Sequence, residues 1–436
     1  MKILIVSTFF PPQNSIASLR PYSWAKYWSR MGHDVTVLTT KKTPHSSDSP
    51  MSFSGFSVIS LPIPGLLEQM GAKLKRRAQL LSKQDNNDAS PSDESIIFRA
   101  IFWLKRRFGI YSGCRMPEVA DSWAKLALNE ASKESWDLVI STAWPYSVHR
   151  VGYGLKKSNK STYWVMDWRD LWIGNHMYPG LPIIRWWEAK LEQRFHSLAD
   201  LVTTVSEPLA KQLRARVGNK VHVVFNGFDT EEYESLSVES VFPSDLKLRI
   251  VYTGSIYVGK QDPTPLFKAI KNLHDSGQLT EHQLQVIFVG LNADVIELAK
   301  RIGVDRYVLY QGLVPRERAL RMQRDCNILL FLEYQAIGVD GILTGKLFEY
   351  LFAQAPILAV GVGSETSAGS IIEKSGRGVA LGNDVKKIEQ WMISIMQYQV
   401  VENKSTESLE ISPLIGHFSR KNSAEKFINI VTKYIN

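Results

Sequence analysis

Strand-like apolar runs alternate with helix-like segments almost from one end of this chain to the other, and no other feature narrows its fold as much. Ile3–Val6 reads as a strand, Arg20–Met31 as a helix stopped by Gly32, and Val35–Thr39 as the next strand. Leu138–Ser141, Tyr163–Met166 and Leu201–Val205 continue the series. Such alternation predicts an α/β fold, with a parallel sheet covered by helices on both faces. The pattern then restarts with Val221–Phe225, Arg249–Tyr252, Gln285–Val289, Tyr307–Tyr310, Ile328–Leu332 and Ile357–Val360. Two consecutive α/β units are the simplest account of 436 residues, too many for one ordinary core. The boundary is expected near residue 218, after the helix-like Glu207–Arg216. Pro208 sits in the first turn of that helix, where its missing N–H costs nothing. Ser419–Ile435 reads as an amphipathic helix.

Composition excludes several classes. Hydrophobic residues at 44% and charged residues at 22% are those of a folded globular protein. The two cysteines, Cys114 and Cys326, have no spacing partner, which argues against a disulfide framework or a cysteine zinc site and fits a reducing compartment. No apolar run approaches the length of a membrane-spanning helix, and the opening Ile3–Val6 run, ended by Pro11 and Pro12, reads as a buried strand rather than a signal peptide. The formal net charge of +9 favours anionic partners. Residues 41–95 depart from the α/β pattern, being rich in Ser, Pro, Asp and Asn, as in a loop. Beside the most polar piece, Gln84–Glu94, lie two basic amphipathic stretches, Leu66–Leu81 and Ile96–Ile110. Aromatics beside Lys and Arg suit a helix lying in a membrane interface, and equally a domain helix with its charges in water.

The segment Gly341–Leu351 is the richest in chemistry. Gly and Thr ahead of a helical run make an N-terminus with free N–H groups. Lys346 puts a positive charge in that first turn, unfavourable unless an anion offsets it, and Glu349 follows on the same face. Phosphates at the N–H groups and ribose hydroxyls at the carboxylate would suit a nucleotide diphosphate. A surface helix carrying one Lys and one Glu is the plain alternative. In Tyr252–Lys260, Gly254 and Gly259-Lys260 have P-loop spacing, but Gln261 cannot supply a magnesium-holding hydroxyl and Pro263 and Pro265 interrupt the helix that should follow. What survives is a glycine turn that lets backbone approach a phosphate, with Lys260 as counter-charge, against a plain turn with a solvated Lys. Asp167-Trp-Arg169-Asp170-Leu-Trp172 closes a strand where α/β proteins place ligands, or orders a loop through an internal ion pair. The first loop, Phe10 to Arg20, delivers Arg20 to a helix start. His149 lies in the suggestive Trp144–His149 loop, although a lone His is more often structural. Metal, thiol and nicotinamide motifs are missing: no His-Glu-x-x-His, Cys-x-x-Cys, Gly-x-Ser-x-Gly, or Gly-x-Gly-x-x-Gly after the first strand.

Taken in order, these pieces resemble family 4 of the glycosyltransferases, the retaining group with the GT-B fold. The matching residues are Phe10-Pro-Pro with Arg20, Gly32-His-Asp-Val35, Val205-Ser-Glu207, Asn226-Gly-Phe-Asp229, Gly254 with Lys260, and Lys346-Leu-Phe-Glu-Tyr-Leu351. The branch used in bacterial surface-polysaccharide assembly looks closest, because Asp167–Trp172 also fits it. The resemblance implies two Rossmann-like domains with parallel sheets facing a central cleft: 1–218 with a C-terminal helix 419–436 crossing back to bind the acceptor, and 219–418 to bind a nucleotide-sugar. It implies that Lys260 meets the diphosphate, Thr344, Gly345 and Lys346 the phosphates, and Glu349 the ribose. Arg20, His149, Asp167, Arg169 and Asp170 would serve the acceptor and catalytic side. Two departures stand out. The Arg usual five positions before the phosphate Lys is Ser255 here, and the first of two Glu eight positions apart is Gly341, whose neighbour Asp340 is the substitute expected.

The expected reaction moves a sugar from a nucleoside-diphosphate sugar to a hydroxyl acceptor, lipid-linked or polysaccharide, of the hexosyl or N-acetylhexosaminyl type. Lys260, Lys346 and helix N–H groups would stabilise the leaving diphosphate without a metal or cofactor. A nucleotide-sugar epimerase of the same fold, or a non-catalytic nucleotide-sugar binder, stays open beside it. Nucleic-acid binding is disfavoured because the basic clusters lie in no recognisable module. The expected location is cytoplasmic, with peripheral contact at an anionic membrane surface.

Overall fold

The computed structural model describes residues 1–13, 15–42, 53–64, 96–175, 178–256, 259–291, 294–333, 343–401 and 413–435. The chain divides into two compact units. The first runs to Val224 and takes in the chain again from Ala424; the second runs from Phe225 to Ser423.

The first unit is a seven-stranded sheet in the order β3-β2-β1-β4-β5-β6-β7, parallel throughout. Its strands are β1 (Lys2–Val6), β2 (Asp34–Thr40), β3 (Ser57–Leu61), β4 (Leu138–Thr142), β5 (Tyr163–Trp168), β6 (Leu201–Thr204) and β7 (Val221–Val223). β1, β4, β5 and β6 are buried almost throughout because both faces are covered, and most of their residues are apolar. Two details differ from the sequence expectation. β3 lies within the polar 41–95 stretch and is only half-buried, as an edge strand can be. β7, expected to open the second unit, pairs with β6, so the first sheet extends past residue 218.

The helix Ile16–Arg30 begins four residues before the expected start, because the Ser15 hydroxyl accepts from the Ser18 N–H and caps it. Its Trp24 and Trp28 are fully buried against the C-terminal helix Arg420–Ile435. Phe427 packs edge-on at 5.1 Å and 5.5 Å to their rings, and the Trp28 Nε1–H donates to the Ala424 carbonyl at 2.9 Å. Ala424, Phe427, Ile428 and Val431 thus complete the first unit's core.

The second unit is a six-stranded sheet, β10-β9-β8-β11-β12-β13, again parallel. Its strands are β8 (Leu248–Thr253), β9 (Leu284–Val289), β10 (Val308–Gly312), β11 (Ile328–Leu332), β12 (Ile357–Val360) and β13 (Gly378–Ala380). Side chains alternating along each strand feed two cores, one on each face. The turn Asn226-Gly-Phe-Asp229 is a packing device. A Cβ on Gly227 would meet the Phe418 carbonyl at 2.1 Å, Phe228 exchanges backbone hydrogen bonds with Phe418 and Arg420, and Asp229 caps the following helix. Cys114 and Cys326 are buried free thiols. Among the described residues no helix is long and apolar enough to cross a membrane.

Candidate functional site

In the second unit, β8 ends at Thr253 and the chain turns through Gly254, at φ +112°. Two close approaches make glycine necessary there. A Cβ on Gly254 would meet the Lys346 Cε at 2.9 Å, and a Cβ on Gly290, after β9, would meet the Gly254 carbonyl at 2.4 Å. The helix Gly345–Phe352 is locked to the same strand end, since the Thr253 N–H donates to the Tyr350 hydroxyl at 2.8 Å. The first turn of that helix therefore lies against the Gly254 turn.

Lys346 is half-buried. Its ammonium stands 3.8 Å over the Tyr252 ring and makes no hydrogen bond or ion pair among the described residues. Burial pushes its pKa down to about 7, with Glu349 pulling partly back. The Thr344 Oγ1, at the helix cap, is also buried without a partner. A positive helix end, a cation without a counter-ion and an unfilled hydroxyl share one spot, and a phosphate would answer all three.

The other donor-side candidates are distributed around this spot. Glu349 is buried: its Oε1 accepts from Arg316 Nη2 at 2.9 Å, with Arg420 at 3.9 Å, and its Oε2 has only a 3.4 Å contact to Gln323. Arg316 also makes a bidentate pair with Glu232 at 2.9 and 2.7 Å. Sequence reasoning missed Arg316, Glu232 and Arg420, whose only signal is that Arg316 opens a helix just after a strand. Ser255 is exposed, and its carbonyl accepts from the Tyr252 hydroxyl at 3.0 Å. Lys260 is exposed and lines a cavity of about 370 Å³ with Asp262, Leu291, Asp294 and Arg301. Among the described residues the polar partners of the Glu349 carboxylate are Arg316, Arg420 and Gln323, not Lys260. Gln261, the neighbour of Lys260, is buried, donating to the Leu332 carbonyl at 2.8 Å. Asp340 and Gly341 lie outside the described residues.

In the first unit the candidates are largely buried, and two of them, Arg20 and Asp167, pair with each other. Asp167 has no exposed surface. It accepts from Arg20 Nε and Nη2 at 3.1 and 2.8 Å, from Thr142 Oγ1 at 2.7 Å and from Thr203 Oγ1 at 2.7 Å. Burial opposes its ionisation, but Arg20 and the two hydroxyls outweigh that and hold its pKa below the ordinary value. Arg20 is buried too, and its Nη1 donates to the Val224 carbonyl at 2.8 Å. Arg169 donates to the Ala143 carbonyl and stands 5.3 Å over the Phe9 ring; burial pushes its pKa down to about 10. Asp170 is only half-buried and accepts from Trp144 Nε1 at 3.1 Å. His149 is fully buried, its Nδ1 2.7 Å from Ser141 Oγ and its ring 4.2 Å from that of Trp168. Burial pushes its pKa down to about 3, so it is a neutral core residue.

Residues 18–227 match the family model described as a glycosyl transferase 4-like domain. No curated protein sequence matches the chain significantly. Solved structures similar along nearly the whole chain include sucrose-phosphate synthase from Thermosynechococcus elongatus, at 13% identity and TM-score 0.62, covering 99% of this chain and 98% of that one. WaaG, a glycosyltransferase involved in lipopolysaccharide biosynthesis, is 11% identical with TM-score 0.54, covering 99% of each chain. An α,α-trehalose-phosphate synthase (UDP-forming) from Burkholderia xenovorans, in complex with glucose-6-phosphate, is 10% identical with TM-score 0.60, covering 99% of this chain and 100% of that one. At such identities the likeness establishes the fold, which is the GT-B fold expected from the sequence: two Rossmann-like units, each on a parallel sheet.

Proposed function

We propose that this chain, a GT-B protein with a glycosyl transferase 4-like domain at residues 18–227, is a retaining glycosyltransferase that moves a sugar from a nucleoside-diphosphate sugar to a hydroxyl acceptor. The observation that carries the reading is Lys346: a desolvated ammonium at a helix start, beside a glycine turn, with no anion in contact among the described residues. The donor's diphosphate supplies that anion. As the glycosidic bond breaks, negative charge grows on the departing phosphate, and a cation already in place lowers the barrier without reorganising. Lys260 is the second counter-charge, brought from the exposed loop. With two lysines in that role the mechanism has no metal step. The Thr344 hydroxyl and the first-turn N–H groups hold the phosphates. Glu349 offers its Oε2, the oxygen with only one long contact, to the ribose hydroxyls. On the acceptor side the half-buried Asp170 orients the hydroxyl, while Asp167 and Arg20 fix the strand end from below.

The acceptor in this reading is a glycan or lipid-linked intermediate of bacterial surface-polysaccharide assembly, in line with what the name of WaaG says of that protein. Peripheral contact with an anionic membrane follows from such an acceptor. Thermal-shift screening of nucleotide-sugars identifies the donor, because a ligand that binds only the folded state raises stability by mass action. Turnover with an acceptor, and no change of the donor alone by NMR, separates the transferase from an epimerase. Stabilisation by donor without turnover on any acceptor would reduce the protein to a binder.

A further inference from the structure

The helix Pro182–Leu198 is built inside out. Its inward face carries Glu188, Glu192 and His196, one turn apart and all buried. Glu188 is tied to Arg115 at 3.0 Å and to the Met116 N–H at 2.7 Å, Glu192 reaches Arg216 at 3.8 Å, and His196 accepts from Trp168 Nε1 at 3.2 Å. Its outward face carries Ile183, Trp186 and Trp187, which are 82%, 53% and 58% exposed. The spacing of those three is the one a water-facing helix normally turns toward the core. Between them stand Arg185, Lys190 and Arg194, all exposed, with the Lys190 ammonium 3.9 Å over the Trp186 ring. Both acidic side chains of the helix, Glu188 and Glu192, are on the buried side, so every charged residue on its exposed face is a cation.

A second helix of similar composition is tied to the start of this one. The helix Ile96–Phe108 has no acidic residue and ends in exposed Arg106 and Arg107, with Trp103 59% exposed. Its end is fastened to the start of the Pro182–Leu198 helix: the Gly180 N–H donates to the Phe108 carbonyl at 3.2 Å, and Arg115 binds both Glu188 and the Tyr178 carbonyl. Amphipathic rings among cations, without acids, are the composition of protein surfaces that sit at headgroup level on anionic lipid. We propose that the outer face of Pro182–Leu198, together with Trp103, Arg106 and Arg107, docks on an anionic bilayer, with Trp186 and Trp187 entering the interface. This deepens the peripheral contact of the preceding section and rests on it, but it assigns the main anchor to a helix whose acidic side chains are turned inward, Glu188 in a buried ion pair with Arg115.

The test is flotation of the full chain with phosphatidylcholine vesicles containing phosphatidylglycerol, with pure phosphatidylcholine as control. The expected result is binding to the anionic vesicles alone. Arg185→Gln/Lys190→Gln should weaken it by about fivefold per charge removed, and Trp186→Ser/Trp187→Ser should abolish it with an unchanged thermal midpoint. Absence of binding by the wild type would discard both the peripheral contact and this assignment. If Trp103→Ser/Arg106→Gln/Arg107→Gln loses binding while the Pro182–Leu198 variants keep it in full, the contact stands and the inside-out helix is not the anchor. A wild type that sediments as a dimer, and a Trp186→Ser/Trp187→Ser variant that is monomeric with undiminished lipid binding, would make this face a self-association surface and overturn the proposal.

Discussion

Asp167 in the first unit and Lys346 in the second both carry a charge into a desolvated place, and their surroundings treat them differently. The carboxylate of Asp167 receives four hydrogen bonds from Arg20, Thr142 and Thr203. The ammonium of Lys346 has a tyrosine ring beneath it and no acceptor among the described residues. A neutralised buried charge is structure, because every bond it can make is made. A charge held away from water and left without a counter-ion costs stability until a ligand arrives, and that cost is what marks a binding site.

The comparison can be broken by substitution. Asp167→Ala strands the Arg20 guanidinium and should cost about 3–5 kcal/mol, read from the urea unfolding midpoint; a loss no larger than at a surface position would remove Asp167 from the frame of the fold. Lys346→Met should do the reverse. Turnover falls by about 10²–10³-fold, while stability is unchanged or rises, and a variant that unfolds more easily would mean the ammonium has a structural partner after all. The pH dependence sharpens the same point. With the folded pKa of Lys346 near 7 and its unfolded value near 10.5, the folded protein holds fewer protons between those limits. Stability of the wild type relative to Lys346→Met should therefore rise as pH climbs from 7 toward 10, whereas donor affinity, which needs the ammonium, should weaken by up to about tenfold per pH unit above 7. Gly254→Ala puts a Cβ at a positive φ and against Lys346, so it should cost about 1 kcal/mol of stability and raise the donor KM together. Lys260→Ala, at an exposed position, should move stability by no more than about 0.5 kcal/mol and show itself only in donor KM and turnover.

Much of this was legible in residue order. Buried parallel strands are short runs of Val, Ile and Leu, so their alternation with helices survives translation into a sheet order. The ion pairs were not legible. Arg20 and Asp167 are 147 positions apart, and nothing local in either says which of many opposite charges it meets. Glu349 looked free in sequence because Arg316, 33 positions earlier, gives no sign of turning toward it. The Pro182–Leu198 helix shows the sharpest limit: the spacing of Ile183, Trp186 and Trp187 defines a face, but periodicity is silent about which face meets water when the opposite one carries its own ion pairs.

The helix that supplies Phe427 to the Trp24 and Trp28 rings has a consequence for biosynthesis. The first unit's strands are made early, yet two of its indoles lack the cover of Phe427 until residues 424–435 are synthesised. Domains emerging from a ribosome ordinarily fold in order of appearance; here the earlier one must wait, nearly finished and with an open apolar seam, for the later one to be translated. A nascent chain arrested before residue 424 should therefore expose that seam to chaperones and proteases, even with every strand of its sheet already made.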